Sequence, residues 1–133
     1  MSTESLSSAG TLLIILPTVI FSGVSILTLL IRDPRYRQNP LRQQLWRAGH
    51  AHAGVLLVLS LVALLYVDQT DLSAAWKQVV RSSIPASAIL LPVAFFLSVL
   101  SPTATKPNAL IYLAYAGAAV LSFGLVVLGV GLL

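Results

Sequence analysis

Four stretches of this chain carry no Asp, Glu, Lys or Arg: residues 5–31, 48–67, 82–105 and 107–133. All are dominated by Leu, Val, Ile and Ala. A bilayer core about 30 Å thick is crossed by about 20 helical residues, so each stretch is long enough to span it. Isolated strands would leave their backbone unpaired in lipid, which makes helices the expected form. The pattern predicts an all-α integral membrane protein: one domain over residues 1–133, a four-transmembrane-helix bundle with no soluble domain. Its spans are placed at about 11–31, 48–67, 84–100 and 109–133.

The connections refine this outline. In "RDPRYRQNP", Asn39 is placed to cap a helix with Pro40 at its first position. "LRQQLWR" then reads as an amphipathic turn or two at headgroup depth, where Trp46 is at home. Ser73 heads a short interfacial helix, 73–81, with Trp76, Val79 and Val80 on one side and Lys77 and Arg81 on another. Pro17, Pro85 and Pro92 fall inside apolar runs, where a missing N–H predicts kinks.

Composition supports the membrane reading. Hydrophobic residues make up 57% of the chain and charged residues 9%, against roughly 25% charged in typical soluble domains. That is too little charge to cover a water-exposed surface. The start, "MSTESLSSAG", holds Glu4 and no basic residue, and its apolar run ends in "IRDPRYR", so a retained helix is expected rather than a cleaved signal. The absence of cysteine excludes disulfides and thiolate chemistry.

The net charge of +4 is concentrated rather than spread. Arg32, Arg35, Arg37, Arg42 and Arg47 lie in or beside the first connection, and Lys106 lies in the third. Such juxtamembrane arginines meet lipid headgroups and set orientation, placing these connections inside and both termini outside. No segment remains to carry a nucleic-acid surface, so the partners expected are the bilayer and other membrane proteins, in a homo- or hetero-oligomer. Arg over Lys, with abundant Ala and Leu, points to a bacterial source and therefore to the plasma (inner) membrane.

Two internal comparisons bear on organisation. "IILPTVIFSGVSIL" and "ILLPVAFFLSVL" share a proline at the same point of an apolar run. A shift of 68 positions sets "RAGHA" (47–51) on "YAGAA" (115–119), a pattern suggesting two tandem helical hairpins. Small residues in the second and fourth spans, Gly49, Gly54, Gly117 and Ala118, predict that these two helices meet there.

The chemistry concentrates in "GHAHAG". His50 and His52, two apart on a helix, point about 200° away from each other and cannot chelate one ion. The acidic residues Glu4, Asp33, Asp68 and Asp71 lie outside the spans, so no metal site of three or four protein ligands is expected. The segment resembles the histidine-bearing helices of haem–copper oxidase and nitric oxide reductase subunits, but the other ligand helices of those proteins have no counterpart here.

Three uses for the histidines stand side by side. They form a polar cluster near the interface with Tyr112 and Tyr115, or a haem or quinone-type ligand site with Arg47 and those tyrosines, or a proton or partner contact. A haem would need a single axial ligand or the same histidine from two subunits. Gly54, one turn along from His50, favours His50 for the bundle interior.

With no carboxylate to orient the histidines, catalysis is not expected. The leading expectation is a non-enzymatic accessory or structural subunit acting by helix association. The alternative is a small oligomeric transporter or channel, for which proline discontinuities would speak.

Overall fold

The computed structural model describes all 133 residues. Five α-helices are present: α1 (Thr3–Arg32), α2 (Pro34–Arg37), α3 (Pro40–Val67), α4 (Ala74–Ser98) and α5 (Tyr112–Gly131), with a 3₁₀ turn at Ala109–Ile111 before the last. Four of them, counting the 3₁₀ turn with α5, are long and apolar enough to cross a membrane. There is no strand. The protein is a four-span helical membrane bundle.

Local chemistry sets the helix limits. Ser2 accepts the Ser5 N–H and starts α1 eight residues before the expected Thr11. At about 1.5 Å per residue its 30 residues reach about 45 Å, longer than a bilayer core. At its other end, Arg37 Nη1 donates to the Leu30 and Ile31 carbonyls (3.3 and 2.8 Å), which have no partner within the helix. Asn39 caps α3 through the Arg42 N–H (3.0 Å), with Pro40 first in the helix, as the sequence predicts. Asn108 closes the connection after α4 by donating its N–H to Ser98 and its side-chain amide to Leu97.

The interfacial helix expected at 73–81 is corrected. Ser73 does cap a helix, accepting the Trp76 N–H, but that helix runs on through Pro85 and Pro92 to Ser98. Likewise α1 is unbroken at Pro17. Each proline removes one backbone bond, and the remaining bonds hold the helix across it. Both helices are therefore continuous through their prolines.

The helices form an open row, α1–α3–α4–α5, in which α3 and α4 share the largest interface and α4 and α5 nearly as large a one. The α1–α3 contact is much smaller, so the two hairpins pack unequally. The core lies along the α3–α4 seam, where Leu64, Val67, Val80, Ile84 and Ala94 are almost wholly buried.

The expected meeting of the second and fourth spans is also corrected, because α4 lies between them. Gly49 receives Phe95 and Phe96 of α4 on one side, and Gly117 receives Leu90 and Leu91 of α4 on the other. Gly124 packs on Ser83 and Ile84, again of α4. Gly54 faces Val19 of α1, and Ala118 is exposed. The small residues permit close approach, but the approaching helix is α4 in three of these positions.

Candidate functional site

His50 is half-buried in the α1–α3 seam, and His52 is exposed on the far side of α3. The Ser22 hydroxyl donates to the Val19 carbonyl (2.8 Å), and its oxygen lies 3.0 Å from His50 Nδ1. The tautomer that satisfies both Ser22 contacts carries its hydrogen on Nδ1, with the Ser22 oxygen accepting. Nε2 is left with a lone pair. The same logic holds at His52, whose Nδ1 lies 2.7 Å from the Ala48 carbonyl, an acceptor only. The His52 ring rests against Phe95 (centroids 5.2 Å apart).

Gly23 makes room for His50. A Cβ at Gly23 would lie 2.8 Å from the ring's Cε1 and 3.0 Å from Nε2, closer than side chains pack. Beside the ring, Gly23, Ile26, Leu27 and Leu30 of α1 and Arg47 and His50 of α3 line a cavity of about 370 Å³. A second cavity of about 390 Å³ lies between α1 and α4 over Ala53 and Leu57. Ser22 lines this one, so the Ser22–His50 hydrogen bond stands between the two.

Tyr112 and Tyr115 are not part of this site. Both are exposed and lie against each other on α5, with centroids 6.1 Å apart. The expectation that they approach His50 is corrected for the same reason as the glycine contact: α4 lies between α3 and α5, which touch each other only slightly. Depth along the membrane normal does not determine adjacency. Nowhere do three His, Asp or Glu side chains gather as metal ligands would.

The five arginines at this end divide in two. Arg32, Arg35, Arg37 and Arg47 are exposed, while Arg42 is buried. Its guanidinium lies 4.1 Å from the centre of the Trp46 ring and 5.9 Å from that of Tyr36, a cation–π arrangement rather than a headgroup contact. Trp46 in turn donates to the Phe96 carbonyl (3.1 Å). Burial pushes the Tyr36 hydroxyl up in pKa, against the pull of Arg47 and Arg42, and keeps it neutral.

No family model, curated protein or solved structure matches the chain. Its chemistry therefore rests on its own geometry.

The strongest polar cluster was not singled out from sequence. At the opposite end of the bundle, Arg81 Nη2 contacts Asp68 Oδ1 at 2.6 Å, the chain's one ion pair. Arg81 also donates to Ser5 (3.0 Å) and Ser2 (3.0 Å), while Asp68 accepts from the Ser2 N–H (2.5 Å) and the Ser5 hydroxyl (3.1 Å). Three elements meet here: the start of α1, the end of α3 and the first turns of α4. Burial alone would raise the Asp68 pKa, but the Ser2 N–H, Arg81 and the two serine hydroxyls lower it to about 2. The signal in the sequence is positional, since Asp68 and Arg81 flank consecutive apolar runs at one membrane face.

Proposed function

We propose that this chain is a non-enzymatic subunit of a membrane assembly, working by lateral helix association and holding a small membrane-soluble ligand at His50. The observation that carries the association is the outward face of α5. Ala118, Ser122 and Gly129 are exposed along it, and a Cβ at Gly129 would meet nothing within 4 Å. The inward small residues of the same helix, Gly117 and Gly124, are filled by α4. Exposed apolar side chains need no partner in lipid, but small residues at helix-packing spacing let a second backbone come close. The His50 cavity supports the ligand: it offers one nitrogen lone pair and one guanidinium in an otherwise apolar cleft. Haem and quinone-type molecules are the two classes with that need.

The orientation that accords with this reading has both termini outside and the arginine end at the inner leaflet, because anionic headgroups balance the exposed arginines there. Replacing Gly129 with Leu tests the association without touching the bundle. Native mass spectrometry of the protein from its own membrane should show partner or self-association lost and thermal stability unchanged. A wild-type protein that runs only as a free monomer would overturn the proposal, as would substrate-specific flux in liposomes. An absorption spectrum decides the haem option by its Soret band.

A further inference from the structure

We infer that the cleft between α1 and α3 binds the head of a membrane-soluble hydroquinone, with His50 Nε2 accepting one ring hydroxyl and Arg47 donating to the oxygen across the ring. This rests on the ligand half of the reading above and gives that ligand a chemical class.

The first step is the tautomer. In the tautomer that satisfies both Ser22 contacts, His50 presents a lone pair at Nε2, and any molecule that satisfies it must bring a donor or an electron-pair acceptor. The second is position. The Cε1–Nε2 edge of the ring lies over Gly23, where a side chain of any other residue would stand, and His50 lines the 370 Å³ cavity. That volume sits at the lower end of the range for small-molecule sites.

The third step is Arg47. It lies three residues before His50 on the same helix, on the same face and about 5–6 Å away at Cβ. It is exposed and forms no ion pair. The long, flexible Arg47 stem lets its guanidinium reach outward to the far oxygen of a ring whose near hydroxyl meets His50. Ile26, Leu27 and Leu30 supply an apolar wall for the ring and the start of its tail.

The alternatives fit less well. Phosphate and ester oxygens of a phospholipid are acceptors only; they satisfy Arg47 and leave Nε2 unmet. Arg47 also stands nearer the helix start than His50, so a headgroup drawn to Arg47 turns its own hydroxyls toward water, away from Nε2. A haem iron would take the lone pair but offers Arg47 only its peripheral carboxylates. A hydroquinone meets both groups at once, and the oxidised quinone, having no hydroxyl donor, meets only Arg47.

The test uses the full chain in phosphatidylcholine nanodiscs, with histidine ¹⁵N-labelled, titrated with a short-chain benzoquinol and with the matching benzoquinone. Quinol should bind saturably, shift the His50 Nε2 resonance and leave that of His52 in place. One lost hydrogen bond of ordinary strength corresponds to roughly tenfold. His50→Phe and Arg47→Gln should each weaken quinol binding by about that factor, and quinone should bind more weakly than quinol by a similar one. Arg47 is exposed, so its variant tests the site even if His50→Phe disturbs folding. His52→Phe should bind as the wild type does.

Equal affinity for quinol and quinone would overturn the assignment, as would equal loss at His50 and His52. Displacement by phosphatidylglycerol at matching concentration, or a Soret band, would transfer the cleft to a phospholipid or a haem. Those two results remove the hydroquinone alone. Silence of the His50 resonance toward quinol, phospholipid and haem would remove the ligand reading as well, while association through α5 is measured separately.

Discussion

Asp68→Asn should destabilise the bundle by about 2–3 kcal/mol at neutral pH. The side chain keeps its shape and one acceptor oxygen, so the change isolates charge. A carboxyl held at about 2 instead of its ordinary 3.8 is stabilised by the folded state by about 2 kcal/mol at pH 7. That figure already contains the attraction of Arg81, whose side chain is 9% exposed and is left without its partner when the carboxylate goes. Breaking a fully buried pair on one side costs about 3–5 kcal/mol, and the 16% exposure of Asp68 places this pair below that range.

The folded pKa is depressed, so this stability is fully present above the unfolded value and is lost as pH falls through the folded one. Reversible unfolding in mixed micelles, followed by tryptophan fluorescence, should show the two proteins separated by a constant gap from pH 7 to about pH 5. The gap should narrow between about pH 4 and about pH 2. A loss below about 0.5 kcal/mol at pH 7 would place the pair among solvent-screened surface bridges and refute the argument. A gap unchanged down to pH 2 would show that the carboxylate charge is not its source.

Gly117→Leu should destabilise the protein by about 1–3 kcal/mol, because the first added carbon already lies 3.0 Å from Leu91 and 3.1 Å from Leu90; unchanged thermal unfolding would mean that α5 does not sit against α4. Single cysteines at Arg37 and Gln69 should react with impermeant reagents from opposite sides of the membrane, and same-side labelling would contradict four spans. Trp46→Phe should lower stability by about 1–2 kcal/mol in the same unfolding assay, since it removes the bond to Phe96 and weakens the ring under Arg42. An unchanged midpoint would show that the Arg42–Trp46 stack adds nothing to folding.

What the sequence reveals follows from which interactions are local. The spans are legible because a long uncharged run has few other stable uses, and the Asn39–Pro40 start because a cap is a matter of neighbouring residues. Continuity through Pro85 is less legible. A proline removes one backbone bond, and whether the helix resumes depends on what packs around it, here Val80, Ile84 and Ala88 in the core. Adjacency is hidden for a stronger reason. Gly49 and Gly117 announce close contact without naming the neighbour, and both turn out to face α4 from opposite sides.

The histidine site divides in the same way. Two residues apart on a helix means opposite directions, and the observed sides differ. That Ser22 and Gly23 would meet His50 required the α1–α3 register, which no periodicity in uniformly apolar helices encodes. Depth, a one-dimensional measure, cannot set Tyr112 and Tyr115 beside His50 in a row where lateral order decides contact.

The central place of α4 has a consequence for how the protein is made. Synthesis delivers the chain from its amino terminus, so α1 and α3 enter the bilayer before the helix that holds most of the interface exists. Until then α1 has the His50 contact, but the Arg81 side of its terminal clasp is missing. The half-made protein is a loose pair of helices with Gly49 uncovered, and α4 arrives as a keystone that converts it into a bundle. A chain arrested after residue 72 should therefore be recognised by membrane quality control, and one arrested after residue 100 should escape it.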